Sequence, residues 1–219
     1  MVAYAADGHE NVILEVYRLD RRAFFSETLR KTGKAVVKRI DAKVNRQAAH
    51  WIRPPYALDE LEFLLACTRC DACIEACPNQ VIFPLPARYG ADVVRTPALD
   101  LLNKGCHLCE EWPCVAACEP QALKLPDVDD EFEVTAIPKL AVAYLDTQVC
   151  LPHLGPECAV CRGVCPIEGA MVWHLEKLEI VGELCVGCAR CREICITDPK
   201  AINIQSIHRS GDLSDNNTE

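Results

Sequence analysis

The chain has 219 residues and a formal charge of −9 at pH 7, with 32 acidic side chains against 23 Lys and Arg. That balance excludes nucleic acid as the main partner, because such binding runs on Lys and Arg neutralising phosphates. It also favours encounter with a basic patch on a protein partner. Half of the residues count as apolar, but sixteen of these are Cys and only 6% of the chain is aromatic. The conventional core is therefore modest, and bound metal is expected to add folding free energy.

In chain order, the first signal is DRRAFF at 20–25. The pair Arg21-Arg22, with Phe24 behind it, resembles a twin-arginine export signal, but such a signal needs an apolar region after the pair. Here SETLRKTGKAVVKRIDAKVNR follows, dense in Lys and Arg. A retained N-terminus and a cytoplasmic location are expected, with periplasmic export as the alternative. Phe25, Leu29, Val36, Ile40 and Val44 share one face at helical spacing, while ten Lys or Arg lie between Arg18 and Arg46. One reading is a helix packed on the main domain with a solvated basic face. The other is a peripheral docking element for an anionic membrane surface or an acidic partner. WIRPPYA (51–57) then ends the helix, since a residue before proline is pushed to extended backbone. The expected division is a basic amphipathic extension over 1–50, a main domain over 51–208, and a polar, disordered tail over 209–219.

No stretch reaches the roughly eighteen apolar residues of a membrane span; AVAYL at 141–145 is strand-sized. The main domain carries a fourfold repeat. Its cysteines fall into quartets: Cys67, Cys70, Cys73, Cys77; Cys106, Cys109, Cys114, Cys118; Cys150, Cys158, Cys161, Cys165; and Cys185, Cys188, Cys191, Cys195. Disulfide frameworks scatter cysteines at loop spacings in short secreted domains, and gaps this short would strain many bridges. Metal is the better reading. C-x2-C-x2-C-x3-C is the bacterial ferredoxin run for four-iron clusters, in which the fourth Cys ligates the other cluster of a pair. Zinc ribbons use separated pairs of cysteines instead. Apolar runs flank the quartets: NQVIF after the first, QALKL after the second, AVAYL and GAMVWH around the third, LEIV and AINI around the fourth. Each is expected to be a strand, with a helical turn such as REIC behind the ligand loop.

Three departures from the motif matter. The second quartet has four residues in its middle gap. The third has seven residues between Cys150 and Cys158, with Pro152, Gly155 and Pro156 suited to a looped-out excursion; the alternative is a degenerate site. Pro78 and Pro166 follow the fourth Cys of quartets one and three, whereas Glu119 and Ile196 stand there in the others. Proline ligates nothing, so no ligand is lost. His107 and His153 are read as loop residues beside a cluster, and Trp112 and Trp173 as packing walls. There is no GxGxxG, no P-loop and no C-x3-C-x2-C triplet. Every quartet is complete, with no position open for substrate. A non-catalytic electron carrier is expected rather than an enzyme with turnover of its own.

The residues RPPYA followed by FLLACTRCDACIEACP, then CHLCEEWPCVAAC, then LAVAYLDTQVCLPHLGPECAVCRGVCP resemble the NapG/MauM and NapF ferredoxin-type proteins. The widened gap with Pro113, the seven-residue gap and the fourth motif lacking its final Pro all match that pattern. The resemblance implies an α+β fold of two fused bacterial-ferredoxin-like modules behind an N-terminal helical extension. It implies four [4Fe-4S] clusters held by the sixteen Cys, and single-electron transfer between a quinol-linked membrane protein and a terminal reductase. NapF-like members imply the alternative, a cytoplasmic maturation factor for a molybdenum enzyme. Related four-cluster subunits further imply that quartet one exchanges its fourth Cys with quartet four, and two with three.

Overall fold

The computed structural model describes residues 43–126 and 136–209. Phe25, Leu29, Val36 and Ile40 of the expected helix, the Arg21-Arg22 pair and residues 210–219 lie outside the described residues. Residues 43–48 are helical, and Pro54 and Pro55 beyond them are fully buried.

The first half runs from this lead-in to residue 126. Helix α1 (Glu60–Ala66) has Glu60 and Glu62 in its first turn, where negative charge complements the helix dipole. It stops because Cys67 turns extended, at φ −68° and ψ 114°. A single helical turn, α2 (Ala72–Glu75), follows. Strands β1 (Ile82–Pro84) and β2 (Pro97–Leu99) pair antiparallel, with Phe83 opposite Ala98 and Pro84 opposite Pro97. Prolines are tolerated because a two-stranded ribbon is all edge. The turn α3 (Pro113–Ala116) packs on α2. Residues 56–58 then meet 122–124: the Leu58 amide donates to the Ala122 carbonyl at 3.0 Å, and the Lys124 amide to Tyr56 at 2.9 Å.

The second half repeats this order. Strand β3 (Ala141–Leu145) comes before its ligand loops and β6 (Ile202–Ser206) after them, paired antiparallel from Ala141↔Ser206 to Leu145↔Ile202. Between them lie the short helix α4 (Leu151–Leu154), the hairpin β4 (Met171–His174) with β5 (Lys177–Ile180), and α5 (Arg190–Ile194). Leu175 and Glu176 close the hairpin with φ of +48° and +65°, the two-residue turn whose twist matches the strands. Ile202, Ile204 and Ser206 of β6 alternate inward.

AVAYL is β3, LEIV overlaps β5, and AINI overlaps β6. QALKL contributes one bridge, Ala57↔Leu123; its partner segment starts at Pro55 and its own run ends at Pro126, and proline has no amide to extend a ladder. Strand β2 was not expected, because Pro-Ala-Leu shows no alternation.

Ribbons of two strands are marginal on their own. The main core therefore mixes Phe63, Leu101, Leu123, Leu178 and Ile202 with Cys73, Cys77, Cys106, Cys114, Cys188 and Cys191. A charged group also sits inside. The Arg53 guanidinium pairs with both oxygens of Glu60, donates to the Thr96 hydroxyl at 2.9 Å and the Pro97 carbonyl at 2.7 Å, and lies 4.5 Å from the Phe63 ring centre. It ties the lead-in to α1 and β2 together.

Candidate metal centres

The ligand loops are shaped by backbone that most residues avoid. Arg69, Leu108 and Gly187 stand two residues after the first Cys of their loops, all at positive φ (59°, 51° and 72°). In that conformation the amide turns back, onto the sulfurs of Cys67, Cys106 and Cys185. Asp71, Trp112 and Ala189 are also left-handed, and each opens a helical turn that begins just before the third Cys. Alternating left- and right-handed residues make a concave row of amides suited to an anion. Gly187 has a second reason: a Cβ there would stand 2.2 Å from the Ala141 carbonyl oxygen. Leu123 and Asn79 add an amide at 3.3 Å from Cys118 Sγ and a side-chain amide at 3.9 Å from Cys109 Sγ.

The sulfurs converge in four places of similar size. Cys67, Cys70 and Cys73 share a cavity of about 330 Å³ with Cys118. Cys106, Cys109 and Cys114 share one of about 340 Å³ with Cys77. In the second half, Cys158, Cys161 and Cys150 meet Cys195, and Cys185, Cys188 and Cys191 meet Cys165, each around about 360 Å³. The expected exchange of quartet one with four and two with three is therefore incorrect. Each fourth Cys shares its cavity with the neighbouring quartet in sequence, one with two and three with four. The reason is local. The helical turn α2 that holds Cys73 ends at Glu75, so Cys77 lies past it, at the start of the run into β1. The loop it meets is the one that the β1–β2 hairpin carries back, and β4–β5 does the same for Cys165. Cys150 meets its quartet despite the seven-residue gap, because the excursion forms α4 and closes at Gly155, with φ +117°.

Among the described residues no three His, Cys, Asp or Glu side chains are close enough to share one metal ion. A tetrahedral zinc with bonds near 2.3 Å would draw its sulfurs to roughly 3.8 Å apart. The quartets instead stand around a volume, as a multi-atom cluster requires. Burial and neighbouring thiols push Cys73, Cys114 and Cys191 up to about 12, and burial chiefly pushes Cys106 and Cys161 to about 11. Such thiols hold their protons in water, so metal must displace them on binding. Cys195 differs: burial raises it, but hydrogen bonds from Thr197 and Ala201, with Lys200 nearby, outweigh burial and lower it.

The MauM methylamine-utilization ferredoxin-type protein of Methylobacillus flagellatus is 30% identical, over 91% of this chain and 90% of its own. The chain belongs to the MauM/NapG ferredoxin-type family. NapG of Escherichia coli is 29% identical over 84% of both chains, and NapF of the same organism 29% over 74% of this chain and 90% of its own. No protein-family model matches the chain, and no solved structure does. As a ferredoxin-type protein it is an iron–sulfur protein of electron transfer.

Neighbouring residues of this ferredoxin-type site divide by role. Trp112 lines the Cys106 cavity, edge-on to Tyr56 at 4.9 Å, and Trp173 lines the Cys150 cavity under the Arg162 guanidinium. Both are walls, as expected. The His153 Nε2 shares a hydrogen bond with the Leu178 carbonyl at 2.9 Å, and His107 faces Glu193 at 4.0 Å. Sequence reasoning missed Thr197, whose hydroxyl is 3.3 Å from Cys195 Sγ; a Thr two residues past a ligand Cys was the available signal. No helix among the described residues is long and apolar enough to cross a membrane.

Proposed function

We propose that this protein carries four [4Fe-4S] clusters as two fused bacterial-ferredoxin-like modules, and passes single electrons between protein partners. The first module takes Cys67, Cys70, Cys73 and Cys118 for one cluster, and Cys77, Cys106, Cys109 and Cys114 for the other. The second takes Cys150, Cys158, Cys161 and Cys195, and Cys165, Cys185, Cys188 and Cys191. The observation that supports this reading is that each fourth Cys lines the cavity of the neighbouring quartet, reciprocally and in both halves. A bound cluster supplies one-electron redox chemistry at a potential set by charge, hydrogen bonds and exposure.

The chain's own residues do the rest. Thiolates hold the iron, the left-handed loops aim amides at negative sulfur, and Phe63, Leu99 and Ile202 wall the cavities with apolar surface. Four thiolates per cluster leave no ligand position for a substrate, so donor and acceptor are redox proteins. By resemblance these are a quinol-linked membrane protein and a terminal reductase. The domain spans 51–208, with residues 1–50 as a basic extension that contacts a partner or a membrane surface. Iron and acid-labile sulfide on anaerobically prepared protein test the claim. About sixteen of each per chain are expected from four cubanes, and about eight would refute it.

A further inference from the structure

We propose that electrons cross between the two modules at one main-chain contact, the hydrogen bond from the Cys106 amide to the Cys188 carbonyl. The proposal rests on the ligand sets above and adds an order to them.

The contact measures 2.8 Å. Among the described residues it is the one backbone–backbone hydrogen bond that joins the two halves. Both of its residues are cluster ligands in the proposed sets, and they belong to different modules. From sulfur to sulfur the route is side chain, backbone, one hydrogen bond, backbone and side chain, with no gap through space. The surroundings hold it closed. Gly105 lies so near the facing loop that a Cβ would stand 2.8 Å from Arg190 Cα and 2.9 Å from its amide nitrogen. Arg192 reaches across, donating from Nε to the Leu102 carbonyl at 3.0 Å and from its other nitrogen to Ile202 within its own half. His107 and Glu193 face each other over the same seam.

Within each module, the shared helical turns α2 and α3, or their counterparts around Cys165 and α5, already place the two ligand sets side by side. The four sets then form a line: the Cys67 set, the Cys106 set, the Cys188 set and the Cys150 set. The two inner sets face each other and the two outer ones are left for partners. Cys70, in one outer set, is exposed. At the crossing, one electron leaves the centre held by Cys106 and reduces the centre held by Cys188, or the reverse. One centre is oxidised and the other reduced, and no covalent bond or proton moves.

The test is electron paramagnetic resonance of the full chain, prepared anaerobically and reduced stepwise, beside its iron and sulfide content. With full iron, the wild-type spectrum is expected to show magnetic interaction between the modules as well as inside each. Gly105→Ala must push the Arg190 backbone away, so it should keep its iron and lose much of the inter-module interaction. Arg192→Ala removes the cross-seam clamp without adding bulk, and should weaken the same interaction if Gly105→Ala fails to fold. A fully loaded wild-type chain that behaves as two magnetically separate pairs would overturn the crossing and leave the ligand sets standing. So would an unchanged interaction in a fully loaded variant. A wild-type chain short of iron would overturn the ligand sets instead.

Discussion

Arg53→Ala removes the cationic half of the pair that fastens the lead-in to α1 and β2. The Arg53 side chain is 8% exposed and that of Glu60 is 1% exposed. Removing the guanidinium leaves the Glu60 carboxylate with the Trp51 indole N–H at 3.2 Å. Thr96 and the Pro97 carbonyl lose donors as well. Breaking a buried pair from one side costs about 3–5 kcal/mol, because the remaining charge stays out of water. At about 2–4 °C per kcal/mol for a domain of this size, the midpoint should fall by about 6–20 °C. Anaerobic thermal scans at one fixed rate, following far-ultraviolet circular dichroism and visible cluster absorption together, measure this. The double variant Arg53→Met with Glu60→Leu should recover most of the loss, since an apolar pair of similar volume is often neutral. A loss below about 1 kcal/mol for Arg53→Ala would refute the reasoning, because exposed pairs are worth that little. A double variant no better than the single one would refute it too.

Gly187→Ala should displace the start of β3, given a Cβ 2.2 Å from the Ala141 oxygen, and lose about four irons per chain; Gly182→Ala, with nothing within 4 Å of its Cβ and no left-handed φ, is the control, and equal iron in the two would contradict the argument. Cys118→Ser and Cys67→Ser should remove the same paramagnetic signal, and Cys77→Ser and Cys106→Ser a different one; Cys77→Ser removing the Cys67 signal would contradict the sequential exchange. Thr197→Val deletes a hydroxyl 3.3 Å from Cys195 Sγ. A hydrogen bond to sulfur favours the reduced, more negative centre, so a redox titration should show that centre at a lower potential, and an unmoved or raised potential would count against the contact.

The quartets and their uneven gaps were legible in the sequence because ligand spacing is a local property. So were β3, β5 and β6, whose apolar runs are long enough to show. The partner of each fourth Cys was not legible. A gap of three residues says that Cys77 leaves its own loop, but the loop it reaches depends on the β1–β2 hairpin. Strand β2 is three residues with a proline at its start, too short for any period. The loop conformations were half visible: Gly187 announces a left-handed position, whereas Arg69 and Leu108 adopt it against their preference, held by the sulfur that their amide meets. The burial of Arg53 and Glu60 was not legible, because charges seven positions apart carry no signal of it. Trp51 and the two prolines beside Arg53 were the only hints that this stretch packs inward.

Iron-edge anomalous diffraction from crystals of the anaerobically prepared protein tests the central claim most directly. The account predicts four iron peaks, one inside each sulfur quartet, with Cys118 on the peak of Cys67 and Cys77 on the peak of Cys106. Fewer than four peaks, or Cys77 joined to any loop other than that of Cys106, would contradict it.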